Sequence, residues 1–332
     1  MKELLNKEFN SKIAVHINSL IAEKRALGYS YNNELLFLWR FDKFLAGTEY
    51  DTGIIDDKVM RAWSELDTSE SHNSRKYRLD ATRMLTQHMQ SLGLSVCAPP
   101  ILRKEYRPLP YFPERHEIGD VFATVDNWQG HKTGWYSHTA MEFPIALRMC
   151  YVLGMRIGEV VSARTEDFDW ENRRLLITHS KGDKHRYVYF SDELAGLLRR
   201  YDRRMESVFP DRLFFFPGVD GSHHISRSTT ASHFREAWRL LHGTPGLENG
   251  KRCPTVHTLR HCFVIHIVND WVGSGLRLDQ MVPYLSKHLG HSSFQESYYY
   301  FHQMEKRSPA IMRFIGAAGQ LPKEVFEHEE KW

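Results

Sequence analysis

The segment from residue 98 to residue 113, APPILRKEYRPLPYFP, constrains the fold most strongly, because five of its residues are prolines. Proline fixes its own φ angle and lacks a backbone N–H, so the segment favours neither a helix interior nor a central strand. The 332 residues are enough for two domains with separate cores. We therefore predict a helical domain over residues 1–97, an extended linker over 98–113 and a second domain over 114–332.

Hydrophobic periodicity predicts helices in both domains. Ile17, Leu20 and Ile21 recur at helical spacing before Gly28, which would end that helix. Residues 173–190 differ, because the β-branched and aromatic runs RRLLITH and HRYVYF flank the turn-forming segment SKGDK. This pattern predicts a β-hairpin. The predicted fold class is mainly α with a small antiparallel β-sheet.

Composition argues against a membrane or secreted protein. No apolar run reaches the roughly 18 residues that a membrane helix needs, and the first residues, MKELLNKEFNSK, lack the apolar core of a signal peptide. The cysteines form no CxxC pair, which is typical of a protein in a reducing compartment. They are Cys97, Cys150, Cys253 and Cys262. We expect a cytoplasmic protein that has no membrane partner.

The charge of the chain is informative locally. The formal net charge is only +3, but residues 70–115 contain eight Lys/Arg against four Asp/Glu. This excess suits a surface that binds DNA phosphates, although an ordinary solvated helix face would have a similar composition. The candidate DNA contacts in this window are Arg75, Lys76, Arg78, Arg103, Lys104 and Arg107.

Residues that could carry chemistry are individually unremarkable. The pattern HxxR occurs three times in this sequence, so the pair His257 and Arg260 decides nothing alone. A lone arginine is usually a helix-surface residue, and a tyrosine cluster is usually packing. The order of several such residues along the chain is more specific. LGMRIGEV, SKGDKHR, HTLRH and HLGHSS follow one another, and a tyrosine lies nine residues beyond the last histidine of HLGH.

Together these motifs resemble those of the tyrosine recombinase, or phage integrase, family over about residues 110–305. The resemblance implies a SAM-like, core-binding N-terminal domain and an integrase-type catalytic domain. It also implies catalytic roles for a set of six residues with Glu159 in support. The six are Arg156, Lys181, His257, Arg260, His291 and Tyr300.

The nucleophile lies in the run ESYYYFH, where periodicity leaves the choice among three tyrosines open. Consecutive helical residues point about 100° apart, so any of Tyr298, Tyr299 and Tyr300 could face a phosphate. The family spacing from His291 points to Tyr300.

The six residue types suit phenol attack on a phosphodiester. Two arginines can stabilise the charge that develops on the phosphate oxygens. Lys181 can protonate the departing 5′ oxygen, and His257 can accept the tyrosine proton or hydrogen-bond the phosphate. We therefore expect no cofactor and no metal. The 19 histidines include no HExxH and no zinc-finger spacing.

The resemblance implies a site-specific recombinase that cuts duplex DNA through a 3′-phosphotyrosine intermediate, for integration, excision or transposition of a mobile element. It implies a monomer or weak dimer off DNA, a homotetramer on paired DNA sites, and accessory DNA-bending or element-encoded proteins at the bacterial nucleoid. A type IB topoisomerase and an inactive DNA-binding relative are the alternatives.

We expect a C-terminal tail from about residue 308, whose apolar cluster IMRFI packs on a neighbouring protomer or on its own domain. The sequence GSG predicts an extra loop near 270–285.

Overall fold

The computed structural model describes residues 8–65, 69–105, 111–127, 138–178, 185–243 and 253–290. The chain divides into two compact units, Met1–Arg107 and Pro108–Trp332. This division falls inside the proline-rich segment, and the limits of the linker stay a prediction.

The described part of the N-terminal unit is helical. Its helices are α1 (Ala14–Ala26), α2 (Asn32–Ala46), α3 (Asp57–Glu65) and α4 (His72–Ser91). The predicted periodicity holds, because Ile17, Leu20 and Ile21 are buried and Gly28 has a φ of +87° just after α1. The indole of Trp63 on α3 is also buried, and its Nε1 donates to Thr82 Oγ1 on α4 at 2.9 Å. These contacts give the unit a core of its own.

The C-terminal unit combines helices with one small sheet. Its described helices are α5 (Arg115–Asp126), α6 (Thr139–Val152), α7 (Ile157–Val161), α8 (Asp192–Glu206), α9 (Arg227–His242), α10 (Val256–Gly273) and α11 (Leu278–Leu289). A short 3-10 helix, Thr165–Asp167, leads into strands β1 (Phe168–Asp169), β2 (Arg174–Ile177) and β3 (Arg186–Tyr189). The predicted fold class, mainly α with a small antiparallel sheet, is confirmed.

The sheet has the antiparallel order β1-β2-β3, with Leu175 opposite Val188. Side chains alternate between its faces, so Val188 is fully buried while Tyr187 and Tyr189 are exposed. The same alternation places the first residue of β3, Arg186, on the buried face. A charged residue at this position requires a partner inside the protein.

The connection between α10 and α11 is short. Helix α10 continues to Gly273 and α11 begins at Leu278, so the loop predicted near 270–285 is confined to residues 274–277. Val264, Val268 and Leu285 pack the two helices together. No helix within the described ranges is long and apolar enough to cross a membrane.

Candidate active site

Arg156 and Glu159 lie at the start of α7, in the motif LGMRIGEV. The Glu159 side chain turns back, so its Oε2 accepts from the Arg156 backbone N–H at 3.0 Å, while Oε1 lies 3.2 Å from Arg156 Nη1. This is a capping contact that satisfies an N–H group the helix leaves unpaired. The Arg156 side chain is 20% exposed and that of Glu159 only 4% exposed. The guanidinium therefore lies at the rim of the site, anchored on a buried carboxylate.

Arg186 is the second partner of Glu159, and its role was not predicted. Its Nη1 and Nη2 donate to Oε1 and Oε2 of Glu159 at 2.9 and 2.8 Å, which is a two-pronged buried ion pair. Its Nε donates to the carbonyl oxygen of His288 at 2.7 Å. One side chain thus connects β3, α7 and the end of α11.

Arg260 of the motif HTLRH is almost completely buried on α10. Its Nη1 donates to the carbonyl oxygen of Gly154 at 2.7 Å, and its Nη2 to that of Leu289 at 2.8 Å. Gly154 has a φ of +60°, and a Cβ built on it would lie 2.7 Å from Cε1 of Phe263. Only glycine fits this turn, which presents its carbonyl to Arg260.

The C-terminus of α11 is the point where these arginines converge. Its last carbonyls, those of His288 and Leu289, accept from Arg186 and Arg260, and Arg156 Nη1 lies 3.4 Å from the Leu289 carbonyl oxygen. The end of a helix carries partial negative charge, so guanidinium groups stabilise it. Gly290 then ends the helix with a φ of +68°. The next residue in the chain is His291, which lies outside the described residues.

The electrostatics of this cluster favour an anion. Burial raises the pKa of Glu159, but the hydrogen bonds and charge of Arg186, with the charges of Arg260 and Arg156, lower it to about 2. The carboxylate is therefore ionised at neutral pH, and three guanidinium groups face it. The four side chains carry a net charge of +2 (three positive, one negative), which suits a bound phosphate.

Two histidines lie against the cluster. His257 is in the first turn of α10, where the residue keeps some surface open to solvent but protein atoms surround the ring closely. Its ring centroid lies 4.6 Å from that of His261. Desolvation, followed by the charges of Arg260 and Arg156, lowers the pKa of His257 below its ordinary value. His257 is therefore neutral at physiological pH, as a proton acceptor must be.

His288 has a different environment. Its Nε2 lies 2.8 Å from the carbonyl oxygen of Leu153, so this nitrogen carries a proton and donates it. Its ring stacks on Phe263, with 5.5 Å between the centroids. Desolvation lowers the pKa of His288, partly opposed by the hydrogen bond to Leu153. This histidine fastens the end of α11 to the turn before α7.

The described residues thus bring together Arg156, Glu159 and Arg260 from motifs that are far apart in sequence, with His257 beside them. Lys181, His291 and Tyr300 lie outside the described residues. The ends of the hairpin that contains Lys181 are described, since β2 stops at Ile177 and β3 starts at Arg186. No group of three or more His, Cys, Asp and Glu side chains in the described ranges has the proximity of metal ligands.

Comparison with known proteins assigns the chain to a family. The model of the phage integrase family matches residues 120–307, which is more than half of the chain. The chain belongs to the phage integrase family.

Curated members of the family align over much of this integrase. It is 31% identical over 197 residues to the putative integrase/recombinase y4eF of Sinorhizobium fredii, covering 59% of the present chain and 68% of that relative. It is 26% identical over 237 residues to the tyrosine recombinase XerD of Rhizobium meliloti, covering 71% of each chain. Similarity to these relatives supports the assignment of this chain as a site-specific DNA recombinase.

Solved structures support the fold of this integrase. The XerH site-specific recombinase bound to its difH substrate has a TM-score of 0.62 at 17% identity, over 92% of this chain and 86% of XerH. A lambda integrase dimer on a COC′ core site has a TM-score of 0.56 at 13% identity, over 84% of this chain and 95% of that one.

The basic residues of the N-terminal unit of the integrase have mixed environments. Arg78 is buried, where its Nε donates to Glu70 Oε2 at 2.9 Å and its guanidinium lies 4.4 Å from the Trp63 ring centroid. The expectation that Arg78 faces DNA is therefore corrected, because its guanidinium is buried against Glu70 and Trp63. Arg103 is exposed, and Lys76 pairs with Asp80 at 2.5 Å. Arg75 and Lys104 are partly buried, and Arg107 lies outside the described residues.

Proposed function

We propose that this integrase cleaves and rejoins duplex DNA at specific sites, with Tyr300 as the nucleophile. The observation that carries the proposal is the convergence of Arg156 and Arg260 on the carbonyl of Leu289, two residues before His291. A phosphate bound at the exposed rim, beside Arg156, would lie next to the segment that leads to the tyrosines.

The cleavage step follows from the chemistry of these groups. The Tyr300 oxygen forms a bond to the scissile phosphorus, and the bond between phosphorus and the 5′ oxygen breaks. His257 or His291 accepts the phenol proton, and Lys181 gives a proton to the departing 5′ oxygen. The products are a 3′-phosphotyrosyl link and a 5′ hydroxyl. The link conserves the energy of the phosphodiester, so attack by a 5′ hydroxyl of another strand completes strand exchange.

Arg156 and Arg260 have unequal parts in this proposal. Arg156 is at the rim and can reach a phosphate oxygen directly. Arg260 is buried and holds the Gly154 and Leu289 carbonyls, so it fixes the floor of the site and adds positive charge beneath the phosphate. Glu159 keeps Arg156 oriented.

The proposed assembly is a tetramer on two paired DNA sites, with the N-terminal unit and the catalytic unit gripping one duplex. The tail from about residue 308 would join neighbouring protomers. We also propose that the protein is cytoplasmic and acts at the bacterial nucleoid, where the DNA substrate is found. Its proposed role is to move a mobile element by integration, excision or transposition. The structural similarity to the lambda integrase supports the last part by analogy.

The test is covalent capture on DNA. Full-length protein is incubated with sheared genomic DNA, denatured with detergent, and the DNA fragments that remain attached are sequenced to find the site. A duplex carrying this site and a nick beside the scissile phosphate then traps the covalent complex. Peptide mapping should find the adduct on Tyr300.

The neighbouring tyrosine provides the matched control. Tyr300→Phe should bind the duplex and form no adduct, whereas Tyr299→Phe should form it at a normal rate. An adduct on Tyr299 would move the nucleophile by one residue. Absence of any adduct would favour an inactive DNA-binding relative, and relaxation of any supercoiled plasmid without a specific site would favour a topoisomerase.

A further inference from the structure

The side chain of Arg186 has an unusual combination of burial and connectivity. It lies at the first position of β3, five residues after Lys181, and its side chain is only 7% exposed. Its donors reach two elements that are distant in sequence. The Glu159 contact spans 27 residues, and the contact with the His288 carbonyl spans 102 residues.

The fit around the Arg186 guanidinium is close on the side of α11 as well. A Cβ built on Gly290 would lie 2.9 Å from Nη1 of Arg186 and 3.1 Å from Cζ. The positive φ of Gly290 and the absence of its side chain thus let the turn after α11 pass over the guanidinium. The residue that follows this turn is His291.

These contacts leave the Arg186 fork facing into the protein. Its Nη1 and Nη2 bond the Glu159 carboxylate and its Nε bonds a backbone carbonyl, so a DNA phosphate at the rim is not its partner. Lysine could not reproduce the arrangement, because an ammonium group is a point charge without a planar fork. A role in the reaction must therefore pass through the groups that Arg186 holds.

We propose that Arg186 is a positioning residue that sets the hairpin of Lys181, the Arg156–Glu159 pair and the turn before His291 in one arrangement. The inference rests on the proposed function. Each of these three elements supplies a group to the proposed reaction. Arg186 belongs to the hairpin, and its side chain forms hydrogen bonds to the other two elements. Displacement of catalytic groups by about 1 Å can slow a reaction about 100-fold.

The test separates rate from folding. Full-length wild type, Arg186→Lys and Arg186→Gln are each used in excess over the nicked duplex that carries the captured site. The time course of adduct formation gives a rate constant and an amplitude, and DNA affinity is measured separately. We expect the rate constant to fall about 100-fold in Arg186→Gln and about 10-fold in Arg186→Lys, with DNA affinity and amplitude retained.

A buried arginine elsewhere in the same unit is the matched control. The Arg212 side chain is 3% exposed and pairs with Asp202. Arg212→Lys alters another buried arginine–carboxylate pair, in which Nη2 alone contacts Asp202. It should lower thermal stability and leave the rate constant within about twofold of wild type, as expected for independent sites.

A purely structural role for Arg186 gives a different result. Misfolding of part of the Arg186 variants would lower the amplitude, while the remaining molecules would react with the wild-type rate constant, and this outcome would overturn the proposal. An equal fall of the rate constant in Arg212→Lys would overturn it too. Failure of wild type to form an adduct, or adduct formation by Tyr300→Phe, would instead contradict the proposed function.

Discussion

Nη2 of Arg260 lies 2.8 Å from the carbonyl oxygen of Leu289, although 29 residues separate the two in the chain. This bond joins the motif HTLRH to the motif HLGHSS, and the second bond of Arg260, to Gly154, adds LGMRIGEV. Three sequence motifs thus meet on one side chain. Changes in any of the three motifs should therefore affect the same site.

The hairpin lysine can be tested through the leaving group. Lys181→Ala should slow cleavage at least about 100-fold, the size expected for loss of a general acid. A substrate in which sulfur replaces the bridging 5′ oxygen needs no proton on its leaving group, so it should be cleaved at close to the wild-type rate. The measurement is the rate of adduct formation on both substrates.

Lys184, in the same hairpin, is the control for Lys181. Lys184→Ala should react normally with both substrates. A selective rescue of Lys184→Ala by the sulfur substrate would show that the proton comes from that lysine instead.

Gly154→Ala should destabilise the catalytic unit. Alanine at a φ of +60° costs about 1–2 kcal/mol, and its Cβ would press into the Phe263 ring at a cost of about 1–3 kcal/mol. Gly275→Ala is the matched control, because Gly275 has a φ of +72° and open space around its Cβ position. It should show the backbone cost alone in urea unfolding, and equal losses in the two variants would contradict the contact with Phe263.

The ion pair of Glu159 predicts a dependence of stability on acid. Its pKa of about 2 in the folded protein is below the ordinary 4.5, so its contribution is fully present above pH 4.5. That contribution should be lost as the pH falls from about 4.5 to about 2. Glu159→Gln should lose about 3–5 kcal/mol at neutral pH, because it leaves the Arg186 charge buried and unpaired. Urea unfolding at several pH values measures both effects.

An exposed glutamate serves as the control for Glu159. Glu236 pairs with Arg239 on the surface of α9, where solvent screens the charges. Glu236→Gln should therefore change stability little at any pH. A neutral-pH loss in Glu159→Gln no larger than that of Glu236→Gln would contradict a strong buried pair.

Glu142 predicts the opposite dependence on pH. Burial raises its pKa to about 8, partly opposed by the hydrogen bond that Oε1 accepts from the Gly218 N–H at 3.1 Å. The folded state therefore holds a proton that the unfolded chain releases near pH 4.5, and the associated stability is lost as the pH rises through about 8. Glu142→Gln keeps an acceptor for the Gly218 N–H. The thermal stability of this variant minus that of wild type should be larger at pH 9 than at pH 4. An equal difference at both pH values would contradict the raised pKa.

The C-terminal tail can be tested by truncation. Deletion of residues 308–332 should abolish pairing of two DNA sites while DNA binding persists, because the apolar cluster IMRFI is removed. Deletion of residues 321–332 keeps that cluster and should preserve pairing. Recombination by the longer deletion would refute a tail that joins protomers.

The residue types of the site could be predicted from the sequence, and part of their arrangement could not. The order of the motifs identified Arg156, Glu159 and Arg260 as candidates, and the structure places them together because α7, α10 and the end of α11 meet. The pairing of Glu159 with Arg186 depends on packing between elements, which local patterns do not encode. One signal was available, since alternation in HRYVYF puts Arg186 on the face of the buried Val188.

In the N-terminal unit, too, local sequence patterns do not reveal the packing between elements. Charge counting treated every basic residue of the window 70–115 as a surface residue, but Arg78 is buried with Glu70 and Trp63. Whether a basic residue on α4 faces solvent depends on how α3 packs against it, and α3 itself was not predicted as a separate helix. The hairpin was predicted well, because strand alternation and turn chemistry are local.

The two-pronged pair between Arg186 and Glu159 also limits how this enzyme can be re-engineered. A hairpin taken from a relative would bring its own residue to position 186. Any residue without a matching fork would leave the Glu159 carboxylate with only its Arg156 contacts. Chimaeras should therefore exchange the hairpin and the LGMRIGEV segment together.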